Sequence, residues 1–308
     1  MNEIGNFFEL ETANLSLEWL NDRILLNSGR NALKYIVKAY NIMEIYVPFY
    51  TCRFVWDILK DEGCKVNFYH VNKDFLPIDK FRKSDYILYN NYFGICDKQI
   101  DLLKTSYNNL IIDNTQAFYS NQKCLASFFS VRKFFGVPDG GFAWCDKKIE
   151  DKLNIASSYH LCIHLLKAYD KGHDNSYINF LKNEVEIDKM PLQIMSNLTK
   201  SLLKNINYDN SRKIRLENFQ ILHNALGDKN ELKFNLTEND VPMFYPYLTK
   251  NTMLWQKLKG NGIYLISCWP QIDEFLSNDE LYLKENLIPL PLDQRYNKSD
   301  MQKILEIL

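Results

Sequence analysis

Short apolar runs recur through the first half of the chain, and stretches with helical spacing separate several of them. Seven runs of four to six residues are typical of buried strands. These runs are 24–27, 44–47, 64–69, 86–89, 110–113, 125–129 and 141–145. After the first run, Ser28 suits an N-cap, and apolar residues follow on one helical face from Ala32 to Tyr40. Strands that alternate with helices favour a largely parallel sheet with helices on both faces.

The second half has a different pattern, which predicts mainly helices and then a smaller mixed unit. Between 146 and 226 the strongest predicted helices are 190–206 and 211–225, while the polar segment 172–188 reads as loop. Beyond Gly227 the pattern predicts two strands and two helices, the last capped by Ser299. These later elements are 243–248, 252–260, 263–268 and 299–308.

The patterns together predict three parts of the chain. Residues 1–23 form an N-terminal arm with a short amphipathic piece around 15–20. Residues 24–226 form a large α/β domain with a mainly parallel central sheet flanked by helices. Residues 227–308 form a small C-terminal α+β domain.

The composition of the chain excludes several classes of function. The chain of 308 residues is 46% hydrophobic and 24% charged, as in ordinary globular proteins. Its net charge of -1 argues against nucleic-acid binding. We see no signal peptide and no apolar run long enough for a membrane, so we expect a cytoplasmic protein. The seven scattered cysteines fit reduced thiols. His160, Cys162 and His164 lack an identifiable further ligand, so we expect no metal.

The ends of the predicted strands carry most of the candidate chemistry. In sheets of this kind, ligands bind at the carboxyl ends of the strands. Four segments fall at such ends: Ser28–Gly29, 48–52, 113–116 and 130–133. Separate pieces of the chain can therefore converge on one crevice.

Lys133 is the most unusual of these residues. Phe128 and Phe129 precede it, and Phe134 and Phe135 follow it. Lysines are seldom surrounded by large apolar side chains. One interpretation is a Schiff-base lysine whose amine a semi-apolar site keeps neutral. The other is a surface lysine that extends its charge into solvent.

Three further side chains could act beside Lys133. Asp113 ends an apolar strand. It could keep the ring nitrogen of a pyridine-type cofactor protonated, or it could merely cap a turn. Gln116 could reach a ring oxygen, or sit on the surface. Arg132 could contact a phosphate or a substrate anion, or be solvated.

A helix start could bind a phosphate. Ser28, Gly29 and the amide of Arg30 open a predicted helix, where free N–H groups and the helix dipole favour an anion. Ser130, on the turn of Lys133, could add a hydroxyl. A serine and a glycine before a helix are also ordinary capping residues.

The order of these segments resembles the DegT/DnrJ/StrS family of sugar aminotransferases, which depend on pyridoxal 5'-phosphate (PLP) and have fold type I. The matching segments are Ser28-Gly-Arg-Asn-Ala-Leu33, Val47-Pro-Phe-Tyr-Thr51, Tyr92-Phe-Gly94, Asp113-Asn-Thr-Gln-Ala117, Phe129-Ser-Val-Arg-Lys133, Asp139-Gly-Gly141, Tyr245-Pro-Tyr-Leu248, Gly262-Ile263 and Leu290-Pro-Leu292. The resemblance runs from about residue 24 to the C-terminus, and the segments of Asp113 and Lys133 are its most specific parts.

The resemblance implies a role for each candidate residue. Lys133 would bond to the cofactor and shuttle the proton, Asp113 would pair with the pyridine nitrogen, and Gln116 with the ring oxygen. Ser28, Gly29, Arg30 and Ser130 would hold the phosphate. Relatives with histidine at the lysine position act as dehydratases, so lysine favours transamination.

The resemblance also implies substrates and an assembly. Glutamate would supply the amino group to a keto-sugar nucleotide, in a surface-polysaccharide pathway. The protein would be a homodimer with shared active sites.

Some positions depart from the family pattern. Cys52 stands where an aromatic residue usually stacks on the cofactor ring, so Tyr50 or another residue would have to serve. Thr115 stands where a small residue is expected beneath the ring. The family's Gly-x-Asn segment is not recognisable, and the N-terminal arm is short. These departures motivate an alternative, a catalytically degenerate PLP-fold homodimer that acts as a binding or regulatory protein.

Overall fold

A seven-stranded sheet forms the centre of the computed structural model, which describes residues 10–13, 20–251, 253–269 and 275–308. The strands of this sheet are β1 (Ile24–Leu26), β2 (Glu44–Pro48), β3 (Lys65–Tyr69), β4 (Tyr86–Asn90), β5 (Asn109–Asp113), β6 (Ala126–Ser130) and β7 (Gly141–Cys145). They lie in the order β1-β7-β6-β5-β4-β2-β3. Only the pairs that involve β7 are antiparallel. The predicted fold class, a mainly parallel central sheet flanked by helices, is confirmed.

Ten α-helices lie in the described residues. They are α1 (Gly29–Tyr40), α2 (Arg53–Asp61), α3 (Asp97–Ser106), α4 (Ile163–Lys171), α5 (His173–Lys189), α6 (Asn197–Leu203), α7 (Tyr208–Leu226), α8 (Met253–Gly260), α9 (Asn278–Asn286) and α10 (Lys298–Ile307). Ser28 caps α1, since its hydroxyl accepts from the amide of Asn31 at 3.1 Å. The face of α1 that runs from Ala32 to Tyr40 is buried and packs on β6 and β7, as the apolar spacing predicts.

A second apolar core lies around an antiparallel pair, β8 (Tyr245–Leu248) and β9 (Leu287–Leu290). The helices α7, α8 and α10 pack on this pair. Phe219 and Leu222 of α7 belong to this second core, although they precede the predicted domain boundary. The boundary between 226 and 227 stays a prediction.

The region between the two cores corrects two predictions. The segment 172–188, predicted as loop, is almost entirely the helix α5. Its buried residues include Ser176 and Asn183, so polar side chains occupy the packed stripe and hide the helical period. The predicted helix 190–206 is helical only in α6, because Ile194 bridges to Leu26 and Ile155 in extended backbone.

Other local predictions also need correction. The predicted strand 263–268 is not a strand, and the sequence analysis missed α9 and β9. The sequence also suggests Thr51 as the cap of the second helix, but Thr51 does not cap α2; its hydroxyl accepts from the side chain of Asn90 at 2.8 Å. Asn297 rather than Ser299 caps α10. Residue 252 and nearly all of the predicted amphipathic piece 15–20 lie outside the described residues.

The structure also bears on the expectations about membranes and metals. Among the described helices, none is long and apolar enough to cross a membrane. All seven cysteines are described and unpaired. The described residues contain no group of three or more side chains placed to hold a metal ion. His160 lies 3.8 Å from Glu186, and His164 packs beside Asn183.

Candidate active site

The Asp139-Gly-Gly turn between β6 and β7 presses against the start of α1. A Cβ on Gly141 would lie 2.4 Å from the carbonyl carbon of Ser28 and 2.5 Å from the amide of Gly29. Gly140 has a φ of +119°, which other residues rarely adopt. The buried carboxylate of Asp139 accepts hydrogen bonds from the amide and the hydroxyl of Ser196, the N-cap of α6. The two glycines therefore let the chain place the N-terminus of α1 against the strand ends.

The N-terminus of α1 forms a cradle with the ends of β5 and β6. A Cβ on Gly29 would lie 3.3 Å from both Ser130 Cβ and Thr115 Cγ2, closer than most real contacts. The hydroxyl of Ser28 serves the amide of Asn31, and within the described residues no acceptor is found for the amides of Gly29 and Arg30. Two free N–H groups at a helix N-terminus suit a phosphate.

Lys133 and Asp113 meet through Thr115. The Lys133 amine donates to the Thr115 hydroxyl at 3.0 Å, and the Thr115 amide donates to the Asp113 carboxylate at 2.8 Å. Burial raises the pKa of Asp113 above its ordinary value, although the charge of Lys133 and the bond from Thr115 act in the opposite direction. A cationic ring nitrogen beside Asp113 would favour its ionised form.

The prediction that aromatic side chains surround Lys133 is wrong. The Lys133 side chain is exposed. Phe129 and Phe134 are 2% and 4% exposed, because they pack into an apolar core below the turn. A strand end followed by a tight turn points neighbouring side chains in different directions, so adjacency in sequence did not produce an apolar box.

Gln116 is positioned by an unusual turn. Its side-chain oxygen accepts from the amide of Phe93 at 2.9 Å. Phe93 has a φ of +58° and Gly94 a φ of +74°, and a Cβ on Gly94 would lie 2.9 Å from the Gln116 carbonyl. The Gln116 side-chain amide makes no hydrogen bond to the described part of the chain, so it is available to a ligand oxygen.

Three buried polar atoms near the strand ends lack partners within the described residues. They are the Tyr50 hydroxyl, the side-chain oxygen of Asn90 and the side-chain amide of Asn114. Asn90 and Asp113 are paired in register at the ends of β4 and β5. An unsatisfied buried group costs about 1–3 kcal/mol. The orphaned atoms, the free amides and the Lys133–Asp113 link fit PLP, which presents polar atoms around its ring and a phosphate.

Sequence reasoning missed Asn90 as a site residue, although a signal was available. Asn90 follows the apolar run Tyr-Ile-Leu-Tyr, as Asp113 follows Leu-Ile-Ile. Both are polar residues at the ends of neighbouring parallel strands, and such ends meet at one edge of a sheet.

Tyr50 and Cys52, which were expected near the face of the cofactor ring, do not have a clear role in the structure. Tyr50 is fully buried, with its ring stacked on Tyr92 at 5.8 Å and edge-on to Trp269 at 4.7 Å. Cys52 is half-buried and precedes the first turn of α2. Tyr50 packs as a core side chain, and contacts of Tyr50 and Cys52 with a cofactor stay predictions.

The side chains of the two candidate arginines are engaged by α5. Arg30 pairs with Asp188 and Arg132 pairs with Glu184, which lie one helical turn apart. The guanidinium of Arg30 also lies 3.8 Å from the ring centroid of Phe54. The Arg30 amide lies in the cradle while its side chain points to α5, and Arg132 is held by Glu184 rather than left solvated. Sequence analysis could not find these pairs because it treated α5 as loop.

Comparison with known proteins relates the fold to solved structures. No protein-family model and no curated protein matches the chain. Among solved structures, the chain is similar to a DegT DnrJ EryC1 StrS aminotransferase from Brucella abortus, with a TM-score of 0.64 and 15% identity. That match covers 92% of this chain and 84% of the other.

Two further structures are similar to the same extent. An Escherichia coli GDP-4-keto-6-deoxy-D-mannose-3-dehydratase with bound hydrated PLP matches with a TM-score of 0.65 and 15% identity, over 94% and 90% of the two chains. The sugar aminotransferase CalS13 from Micromonospora echinospora matches with a TM-score of 0.62 and 11% identity, over 93% and 86%. At these identities the likeness establishes the fold, so the chain has the fold of the DegT-type sugar aminotransferases and related PLP enzymes.

Proposed function

We propose that the protein is a PLP-dependent aminotransferase. One observation carries the proposal: Lys133, Asp113 and the free amides at the start of α1 converge at one edge of the sheet through Thr115 and Gly29. A lysine, a buried carboxylate and an anion cradle are the groups that this cofactor needs from a protein.

Each residue has a defined role in this proposal. PLP, when bound, supplies an electron sink at the substrate carbon. Asp113 holds the proton on the ring nitrogen, and the free side-chain amide of Gln116 donates to the ring oxygen. The amides at the start of α1 and the hydroxyl of Ser130 hold the phosphate. The Lys133 amine removes a proton from the substrate carbon and delivers it to the carbon on the other side of the amino nitrogen, two bonds away.

The substrate side is a cleft of about 750 Å³ beside Lys133. Tyr169, Tyr177 and Phe180 contribute flat apolar surfaces to it, on which a sugar or a base ring can lie. Glutamate as donor and a keto-sugar nucleotide as acceptor suit such a cleft, and the similar structures include enzymes named for sugar substrates. We place the reaction in surface-polysaccharide synthesis in the cytoplasm.

We also propose a homodimer with shared active sites. The hairpin of α4 and α5 exposes a group of apolar side chains beside the cleft. They are Ile163, Leu166, Tyr169, Tyr177, Ile178, Leu181 and Val185. Helix α5 has more carboxylates than lysines, whereas α4 does not. The two helices therefore have complementary charge, and a two-fold axis can bring α4 of one copy onto α5 of the other. A second copy would then cover the apolar surface and close one side of the cleft.

The regulatory alternative has less support. A degenerate site has no need for a lysine that is linked through one threonine to a buried carboxylate. No described feature favours it over catalysis.

Absorption spectroscopy of the purified protein with added PLP tests the proposal. We expect a visible band from the lysine-bound cofactor, its removal by borohydride, and a shift when glutamate is added. Lys133→Ala should lack the band and lose at least about 1,000-fold in transamination rate. Lys123→Ala is the matched control, since Lys123 is an exposed lysine shortly before β6.

Two results would count against the proposal. A wild-type protein without the band, or a Lys133→Ala variant that keeps it, would remove Lys133 from its role. A band without any response to glutamate or another amino donor would favour the regulatory alternative.

A further inference from the structure

Arg215 of α7 is a buried cation whose hydrogen-bond partners are all uncharged. Its side chain is 1% exposed. The Nε atom donates to the side-chain oxygen of Gln294 at 3.0 Å. The Nη1 atom donates to the carbonyl oxygens of Pro242 at 3.3 Å and Met243 at 3.1 Å. Burying a charge without an ionic partner is costly, so this arrangement needs an explanation.

Asp293, the carboxylate whose charge acts on Arg215, is already occupied. Asp293 accepts from Arg295 twice, with 2.7 Å from Nε to Oδ1 and 2.8 Å from Nη2 to Oδ2. Burial alone would raise the pKa of Asp293, but Arg295 and the more distant charge of Arg215 hold it below its ordinary value. Burial lowers the pKa of Arg215 to about 10, so it stays charged at neutral pH. Asp293 therefore serves Arg295 and leaves Arg215 without an ionic partner of its own among the described residues.

Arg215 lines the cleft that contains Lys133. Arg132, Lys133, Arg215 and Arg295 all contribute to the walls, and among the described lining residues Asp293 is the only acid. Basic groups on the walls of a low-dielectric cleft raise the local concentration of anions. The third nitrogen of Arg215, Nη2, makes no hydrogen bond to any described residue.

We propose that Arg215 binds an anionic oxygen group of the substrate, a carboxylate or a phosphate, through Nη2 in the cleft beside Lys133. This inference extends the proposed function. It rests on the proposed function only in taking Lys133 as the reacting residue. A charge-assisted hydrogen bond from a buried guanidinium is both strong and directional.

The same contacts connect Arg215 to the lysine turn. Gln294 accepts from Arg215 and donates to the carbonyl of Phe134 at 2.7 Å, next to Lys133. The guanidinium of Arg215 also lies 4.6 Å from the centroid of the Phe134 ring. An anion on Arg215 is therefore bound at a fixed position relative to Lys133, which orients the rest of the substrate.

Calorimetric titration tests this inference without any reaction. Two probes separate the possible sources: glutarate, which carries carboxylates but no amine, is added to the cofactor-free protein, whereas inorganic phosphate is added with PLP at saturation, because the free cradle of α1 would also bind phosphate. We expect wild type to bind at least one of them, and Arg215→Gln to bind it about 10- to 100-fold more weakly. Arg212→Gln, the same change on the same helix but outside the cleft, is the control and should bind like wild type.

The outcomes are separable. Loss of glutarate binding alone identifies a carboxylate site, and loss of phosphate binding alone identifies a phosphate site. Wild type that binds neither probe at millimolar concentration, or Arg215→Gln that binds like wild type, would overturn the inference. If circular dichroism shows that Arg215→Gln is unfolded, Arg215→Lys keeps the charge but loses the fork, and its affinity should still fall about 5-fold or more. Because glutarate is titrated without PLP, its result is independent of the absorption test of Lys133.

Discussion

The strand-end crevice and the α4–α5 hairpin leave opposite kinds of groups without partners. The crevice buries polar atoms of Tyr50, Asn90 and Asn114 that bond to no described residue. The hairpin exposes large apolar side chains, with Tyr169 93% exposed and Ile178 68% exposed. Unpaired polar atoms in a narrow crevice favour a small polar ligand, whereas a broad apolar surface favours another protein surface. The two regions therefore point to different occupants, a cofactor and a second copy of the chain.

The glycines of the crevice and of the hairpin also differ in how closely other atoms surround them. Gly141, behind the crevice, lies against the backbone of Ser28, so any Cβ would meet main-chain atoms. Gly172, between α4 and α5, has a φ of +83° but open space around it. The crevice is closely packed, and the hairpin turn is limited only by its own backbone.

The carboxylate of the crevice gives the largest expected effect. Asp113→Asn keeps the shape but cannot hold the ring nitrogen protonated, so we expect the transamination rate to fall about 10²- to 10⁴-fold. Rates at saturating PLP measure it. Asp101→Asn, at an exposed position of α3, should be unchanged. A rate within about twofold of wild type would mean that the crevice does not need its acid.

The two glycines give the next effect. Gly141→Ala must displace backbone atoms of α1, and we expect the free energy of unfolding to fall by about 3 kcal/mol. Gly172→Ala meets no atom, so its loss, about 1–3 kcal/mol, comes only from a backbone conformation, φ +83° and ψ 165°, that is almost confined to glycine. Urea denaturation measures both variants. A Gly141→Ala variant as stable as wild type would show that the contact with α1 does not constrain the crevice.

The apolar surface of the hairpin can be disrupted by a charge. Leu166→Glu places a carboxylate among exposed apolar residues, so we expect the dimer to dissociate at least about 10-fold more readily. Light scattering over a dilution series measures this. Leu102→Glu, an equally exposed leucine on α3, is the control. A monomeric wild type, or an unchanged dimer in Leu166→Glu, would exclude the hairpin as the interface.

The smallest expected effect concerns Asp97, behind the crevice, whose Oδ2 is also buried without a described partner. Burial, together with the charge of Asp240, raises the pKa of Asp97 to about 6. Between its unfolded value and this pKa the folded protein retains a proton that the unfolded chain releases, so stability falls as the pH rises through this range. Asp97→Asn should therefore be more stable than wild type by about 1 kcal/mol at pH 8 and equal to it at pH 4.

Denaturation midpoints at the two pH values measure this difference. A constant difference between Asp97→Asn and wild type across the range would show that Asp97 does not titrate on unfolding. Such a result would also mean that the unpaired Oδ2 of Asp97 should not be grouped with the unpaired polar atoms of the crevice.

Much of the crevice was predictable because its residues lie where local sequence patterns are strong. Asp113 ends an uninterrupted apolar strand, and Ser28 precedes a helix with a clear apolar face. Parallel strands place their carboxyl ends at one edge, so the convergence of 28–29, 113–116 and 130–133 follows from the fold class. The links through Thr115 required coordinates, since sequence does not say which side chain bridges two others.

The hairpin and its contacts were not predictable for a definite reason. Helix α5 buries Ser176 and Asn183 and exposes Ile178 and Leu181, so most of its apolar residues face away from the monomer core. A periodicity analysis that expects apolar residues inside fails on such a helix. The pairs of Arg30 and Arg132 with α5 were missed for the same reason.

Sequence alone determined the sheet, the order of the strand-end segments and the lysine and carboxylate candidates, because these depend on local period and on chain order. Tertiary structure alone decided that Lys133 is exposed, that Thr115 joins it to Asp113, and that Arg215 lines the cleft beside Lys133 with no ionic partner among the described residues. Burial and ionic partners arise between residues far apart in the chain, and no local pattern of side chains specifies them.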